Sequence, residues 1–199
     1  MVKLDYEVLK QRLLGITNVR DRALLVLIYV TGGRVGEIVW HRKYEQPPVK
    51  RKDIRSFDQH INIFVFTEKI HIYRKVLLSR IVESDYIDII ESYSRLFKDN
   101  EYLFPMTTRN AQRIFRKHFP DINVTRKEKV LGQKKQGIHL MRKWRATHMK
   151  QNKTVNPGEL CDDKFIMLQL GWTDRGSLDN VYDQTDLSDY KHLVVKEEL

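Results

Sequence analysis

Residues 21–33, DRALLVLIYVTGG, constrain the fold of this 199-residue chain more than any other stretch. From Ala23 to Val30 every side chain is apolar or aromatic. A helix built from them has no face to offer water, so the rest of the chain must enclose it. Gly32 and Gly33 then stop it, since glycine readily takes the left-handed turn that closes a helix. A single domain wrapped around this helix is the simplest arrangement for the length, and 41% hydrophobic residues suffice for its core. No apolar run reaches the roughly 18–20 residues that cross a bilayer, so no membrane partner is expected. The one cysteine, Cys161, excludes an internal disulfide and a thiolate metal cluster and fits a reducing compartment.

The enclosing elements are mostly helical. LDYEVLKQRLL (4–14) has helical spacing at Leu4, Val8 and Leu14 and stops at Gly15; RVGEIVWHR (34–42) reads as a further short helix. Pro47 and Pro48 mark a loop. HINIFVF (60–66) and HIYRKVLL (71–78) are rich in β-branched and aromatic residues and flank TEKI, which predicts a hairpin. An amphipathic helix is expected over 84–97, capped by Ser84, and another after Thr107 or Thr108 with Ala111, Ile114 and Phe115 turned inward. Residues 120–137 read as a basic loop, and helices are expected near 139–150, 158–169 and 176–184. The fold class is therefore mostly α with a small antiparallel β-sheet, α+β.

Charge is unevenly spread. Met106–Lys153 carries fourteen Lys and Arg against two Asp and Glu, whereas Thr154–Leu199 carries four against ten, within an overall +10. A basic middle of this size points to a polyanion, and nucleic acid is the first expectation. Lys50, Arg51 and Lys52, Arg109, Arg113, Arg116 and Lys117 on the helix after Thr107, and Lys134 and Lys135 in the basic loop are the expected nucleic-acid contacts. The seven histidines form no H-E-x-x-H or similar ligand cluster, and no G-x-x-x-x-G-K-[S/T] loop is present, so neither a metal nor a nucleotide cofactor is expected.

Four short pieces remain: TGGRVGE with Arg34; FTEKIHIYRKVLLS with Lys69; HLMRKWRATH with His139 and Arg142; and LQLGWTDRGSLDNVY with Trp172 and Tyr182. Singly each has an ordinary reading, as a helix start, a solubilising turn lysine, an exposed helix face or core aromatics. In this order and spacing the set resembles the catalytic domain of the tyrosine recombinases, the phage-integrase family. That family shows T-G-x-R-x-x-E, a hairpin lysine seven residues before the valine of a V-P-L strand, H-x-x-R followed by A-T-H, and L-G-H/W shortly before a nucleophilic tyrosine. Here Lys69 precedes Val76 of VLL by seven, and Trp172 takes the place where histidine is frequent. Trp172 and Tyr182 are ten apart where nine is usual, and Tyr190 is the poorer alternative nucleophile.

The resemblance covers roughly residues 20–185 and implies a catalytic set of Arg34, Lys69, His139, Arg142, Trp172 and Tyr182. Tyr182 would attack the scissile phosphate and hold it as a 3′-phosphotyrosine. Arg34 and Arg142 would clamp the non-bridging oxygens, Lys69 would protonate the leaving oxygen, and His139 would take the tyrosine proton or bond the phosphate. Trp172 would offer its N–H and an apolar face. Glu37, one turn after Arg34, reads as a buttress for that arginine. The implied activity is site-specific recombination or integration of double-stranded DNA without metal or ATP, by a homotetramer on paired sites that is monomeric off DNA. Alternatives are a DNA-binding module that kept the fold without cleaving, and a type IB topoisomerase or resolvase with the same chemistry. Residues 1–185 are expected to form the catalytic domain and 186–199 a tail, a helix docking on a neighbouring subunit. The DNA-clamping N-terminal domain usual in the family is expected to be missing, so the chain is expected to be either a minimal recombinase or a catalytic fragment of a longer one, with the fragment favoured. A prokaryotic mobile element, viral or plasmid, acting in the cytoplasm at the nucleoid, completes the expectation.

Overall fold

The buried helix predicted from DRALLVLIYV is the centre of the molecule. In the computed structural model, which describes residues 4–40, 48–67, 72–122, 137–151, 153–154 and 162–172, α2 runs Val19–Thr31 and every residue from Ala23 to Thr31 is buried. Asn18 caps its start by accepting from the Asp21 N–H, and Gly32 ends it at φ +53°. A side chain at Gly32 would be strained by that φ, and its Cβ would lie 2.1 Å from Leu170 Cδ2.

Of the helices that touch α2, three pack on it most extensively. Helix α1 (Tyr6–Leu14), capped by Asp5, turns Tyr6, Leu9 and Leu13 inward. Of the expected face of Leu4, Val8 and Leu14, Leu4 packs partly buried on the core, but Val8 is 46% exposed, and the 3–4 spacing that matters begins at Tyr6. After α3 (Val35–Ile38), helix α4 (Arg80–Ser94) lies against α2 with Tyr86, Ile87 and Ile90 buried. Its cap is Ser79, not Ser84; the backbone breaks from helical angles at Glu83, so Ser84 begins the straight part of an already started helix. The third is α6 (Leu140–Lys150), described below.

The sheet has three antiparallel strands in sequence order, β1 (Ile54–Ser56), β2 (His60–Phe66) and β3 (Tyr73–Ser79). His60 faces Ser79 and Phe66 faces Tyr73, the hairpin expected from the sequence; β1, with Ile54 opposite Ile63, was not. Strand β3 alternates cleanly, burying Arg74, Val76 and Leu78. The TEKI turn itself, with Lys69, lies outside the described residues. Helix α5 (Thr108–His118) is capped by Thr107 and buries Ala111, Ile114 and Phe115, as expected. Of the expected basic loop, Pro120–Ile122 forms a short 3-10 turn; 123–136, the helix near 176–184 and the tail 186–199 lie outside the described residues.

Helix α6 (Leu140–Lys150) packs on α2, and α7 (Asp163–Leu170), capped by Asp162, packs on α6 and on β3. A small second core of Ala146, Met149, Ile166 and Leu170, with Met167 and Trp172 against it, joins α6 to α7. Beneath α6, Arg145 and Glu83 form a fully buried ion pair, and His148 bridges the Tyr29 hydroxyl and the Leu4 carbonyl at 2.8 Å each. His148 is thus a core residue. Among the described residues no helix is long and apolar enough to cross a membrane.

A candidate phosphate-binding site

The turn that ends α2 is built as a clamp. Thr31 Oγ1 donates to the Leu27 carbonyl (2.7 Å) and accepts from the Gly33 N–H (3.1 Å), which fixes the chain as it leaves the helix. Arg34 follows at the start of α3. Its N–H meets Glu37 Oε2 at 3.0 Å and its Nη1 meets Glu37 Oε1 at 2.9 Å, so the one carboxylate grips both backbone and side chain. Glu37 is 1% exposed. The buttress reading of Glu37 therefore has a geometric basis, and the three-residue step from Arg34 to Glu37 in TGGRVGE is what permits it.

Arg142 reaches the same turn from α6. Its Nη1 donates to the Gly32 carbonyl at 2.5 Å, and its guanidinium lies 5.2 Å from the centre of the Trp172 ring. The side chain is 2% exposed, yet no carboxylate among the described residues lies within ion-pair distance, and Nη2 is buried without a hydrogen-bond partner. Burial pulls its pKa down to about 9, with Arg74 and Arg34 adding to that and Glu37 opposing it; the group remains a cation at neutral pH. Arg145, one helical turn on, is equally buried but is neutralised by Glu83. The contrast matters, because a buried charge without a counter-ion is costly unless a ligand supplies one.

His139 stands immediately before α6, at the rim and exposed. Partial burial of its ring, then the positive fields of Arg142, Arg34 and Lys143, hold its pKa below the ordinary histidine value. It is neutral at pH 7 and has an acceptor nitrogen to offer. A cleft of about 210 Å³ opens beside it, lined by Val35, Gln112, Phe115, Arg116, Gly137 and Ile138.

Four of the six expected catalytic residues, Arg34, His139, Arg142 and Trp172, thus gather at one place although the sequence spreads them over 139 positions. Lys69 and Tyr182 lie outside the described residues. Arg74 joins the group without having been singled out. Its Nη1 donates to the Thr31 carbonyl (3.0 Å) and the Gln169 carbonyl, and its Nη2 meets Glu37 Oε2 at 3.4 Å. One signal for it was readable: Arg74 shares strand parity with Val76 and Leu78, so a charged residue was due to point inward.

Of the expected DNA contacts, Arg109, Arg113, Arg116 and Lys117 are exposed along α5. Arg116 reaches the cleft beside His139, whereas Lys117 is 3.3 Å from Asp21, which His118 also meets at 3.2 Å. Lys52 is exposed, Lys50 lies over the Tyr102 ring at 5.2 Å, and Arg51 donates to the Ile54 carbonyl at 3.0 Å. Lys134 and Lys135 lie outside the described residues. No group of three His, Cys, Asp or Glu side chains suited to a metal occurs among the described residues.

No protein-family model matches the sequence, and no curated protein matches it. Solved structures do match. XerA recombinase superposes with a TM-score of 0.66 at 22% identity, over 100% of this chain and 66% of that one. XerH site-specific recombinase bound to palindromic difH substrate, a post-cleavage complex, gives 0.61 at 18% identity, over 99% and 54%. A lambda integrase dimer bound to a COC′ core site gives 0.54 at 15% identity, over 90% and 47%. The chain spans about half to two thirds of the length of these proteins. It has the fold of a tyrosine-recombinase catalytic domain, mostly helical with a small antiparallel sheet, as the motifs led one to expect.

Proposed function

We propose that this chain is the catalytic part of a site-specific DNA recombinase that cleaves and rejoins double-stranded DNA through a covalent 3′-phosphotyrosine. The observation that carries the reading is the pairing of Arg142 with Arg34: a buried guanidinium with an unpartnered Nη2 beside a second guanidinium held by Glu37. Among the described residues no carboxylate pairs with Arg142, and two planar forks suit the non-bridging oxygens of a phosphodiester. Negative charge grows on those oxygens as the phosphorus becomes five-coordinate. Donors already in place there lower the barrier without reorganising, each commonly by about 3–4 kcal/mol.

The remaining roles follow from chemistry. Tyr182 attacks phosphorus; its phenol, ordinarily near pKa 10, passes its proton to the neutral His139 or loses it in the field of the arginines. The Tyr182 oxygen–phosphorus bond forms as the phosphorus–5′-oxygen bond breaks, the phosphorus stays on the 3′-oxygen as a tyrosyl diester, and the departing 5′-oxygen takes a proton from Lys69. The ester keeps the energy of the broken bond, so the reverse attack by a 5′-hydroxyl rejoins a strand without ATP. Trp172 stacks on Arg142 and closes one side of the pocket to water. Arg109, Arg113, Arg116, Lys50, Arg51, Lys52, Lys134 and Lys135 contact the DNA backbone, with Lys117 shared between DNA and Asp21. The active assembly is a tetramer on paired sites, as the lambda integrase tetramer bound to a Holliday junction is.

The test uses a pool of nicked duplexes with a randomised core, incubated in EDTA and selected for SDS-resistant attachment to the protein. The wild-type chain is expected to capture a defined site and Tyr182→Phe to capture none. Binding without attachment by both proteins would favour a DNA-binding module; relaxation of supercoiled plasmid without strand exchange would favour a topoisomerase.

A further inference from the structure

Arg74 does something its position on a strand does not require. It is 7% exposed, in the inward register of β3, five positions past Lys69. Its guanidinium touches three separate parts of the chain at once. Nη1 donates to the Thr31 carbonyl, the last residue of α2 before the Gly32–Gly33–Arg34 turn, at 3.0 Å. The same nitrogen donates to the Gln169 carbonyl, near the end of α7 and three residues before Trp172. Nη2 meets Glu37 Oε2, on the carboxylate whose other oxygen holds Arg34 Nη1. Gln169 returns the contact, its Oε1 accepting from the Leu77 N–H of β3 at 3.1 Å. Gly171 leaves room for the arrangement: it sits at φ +64°, and a Cβ there would lie 2.7 Å from Arg74 Cδ.

A simpler way to hold a strand against two helices is an apolar side chain, because taking an arginine out of water costs several kcal/mol even when paired. Here the cost is larger, since among the described residues Glu37 is the carboxylate that Arg34 and Arg74 both meet, and Arg142 adds its positive field nearby. A fork that bonds α2, α7 and Glu37 together fixes things an apolar residue cannot: the rotamer of a carboxylate and the angle at which two backbone segments meet.

Resting on the recombinase reading above, we propose that Arg74 is a positioning residue of the cleavage site. It sets the Glu37 carboxylate, and through it the Arg34 fork, in register with the strand that follows Lys69 and with the helix that leads to Trp172. It touches neither phosphate nor nucleophile; it acts by keeping four elements at one mutual geometry, where a displacement near 1 Å costs on the order of 10²-fold in rate.

The experiment is single-turnover cleavage of the selected nicked duplex at saturating protein by Arg74→Met, Arg74→Lys, Glu37→Gln and the Arg74→Met/Glu37→Gln double variant, with thermal melting and duplex affinity measured alongside. Arg74→Met is expected to bind DNA as the wild type does and to cleave about 10²-fold more slowly. Arg74→Lys, with one ammonium in place of a fork, is expected to melt near the wild type yet recover little of the rate. In the Glu37→Gln background the Arg74→Met change is expected to cost little more, because both act on one carboxylate. Wild-type cleavage by Arg74→Met, or losses that multiply fully in the double variant, would overturn the positioning role and leave the recombinase reading intact. Unfolding of both single Arg74 variants would reduce Arg74 to a structural tie and also overturn it. No cleavage by the wild type would overturn the recombinase reading, and this proposal with it.

Discussion

Arg142 Nη1 and the carbonyl of Gly32, 110 positions apart in the chain, lie 2.5 Å from each other. That bond seats the α6 arginine on the turn that presents Arg34, and it leaves the second nitrogen, Nη2, buried with no partner. The pair is the physical core of the account: one nitrogen is used to hold the residue in place and the other is left for an anion.

Arg142 and Arg145 should therefore fail in opposite ways. Arg145 is bound to Glu83 in the interior, so Arg145→Met should cost about 3–5 kcal/mol by stranding a buried carboxylate. Arg142→Ala strands no carboxylate among the described residues and should fold, while cleavage falls by on the order of 10²–10³. Arg142→Lys should keep the charge and still lose most of the rate, because it lacks the fork. Denaturant melts read beside single-turnover rates separate the two residues. Equal rates for Arg142→Ala and the wild type would remove its phosphate role.

His139 gives a pH signature. Its pKa is below the ordinary histidine value, so its ring is neutral at pH 7 and becomes protonated only in more acid solution. A protonated ring cannot accept the tyrosine proton. Cleavage should thus decline as pH falls through a midpoint under about 6.5, and His139→Asn should flatten that acid limb. A limb unchanged in His139→Asn would assign it to another group.

A separate acid effect concerns stability. Burial lowers the His148 pKa to about 4, against the weaker raising effect of its bond to the Leu4 carbonyl. Between about pH 6.5 and about 4 the unfolded chain binds this proton and the folded chain does not, so stability falls as pH falls, by up to ~3 kcal/mol. Above 6.5 the group contributes no slope. Urea unfolding at pH 7 and pH 4.5 measures it; His148→Gln should lower stability at pH 7 and lose this slope.

Much of this was legible in the sequence. An unbroken apolar run from Ala23 to Val30, closed by two glycines, marks a buried helix, and the β-branched segments around TEKI mark a hairpin. The motif spacing anticipated the meeting of Arg34, His139, Arg142 and Trp172. What was missed has local causes. The expected cap, Ser84, lies just past a break from helical angles at Glu83, a buried residue that pairs with Arg145, whereas the helix starts at Ser79. The inner face of α1 was misjudged because Tyr6, amphipathic itself, is the residue that anchors it. Strand β1 is three residues long, too short for any periodicity to show. Arg74 is unmarked by its charge, which is ordinary on a strand beside a turn; only its parity with Val76 and Leu78 places it inward.

Gly32→Ala tests the turn without touching a charge. The backbone there is left-handed and a methyl group would meet Leu170. The variant should lose about 1–3 kcal/mol from strain and should shift the Trp172 fluorescence, since Leu170 and Trp172 share one small cluster. Wild-type stability would show that the α2–α7 contact yields easily.

The most direct measurement is to digest the SDS-resistant protein–DNA product and sequence the peptide that carries the nucleotide remnant. The account predicts the remnant on Tyr182, joined through a 3′-phosphate, with its yield collapsing when Arg34 or Arg142 is replaced by alanine. A remnant on any other residue, or an undiminished yield in both arginine variants, would contradict it.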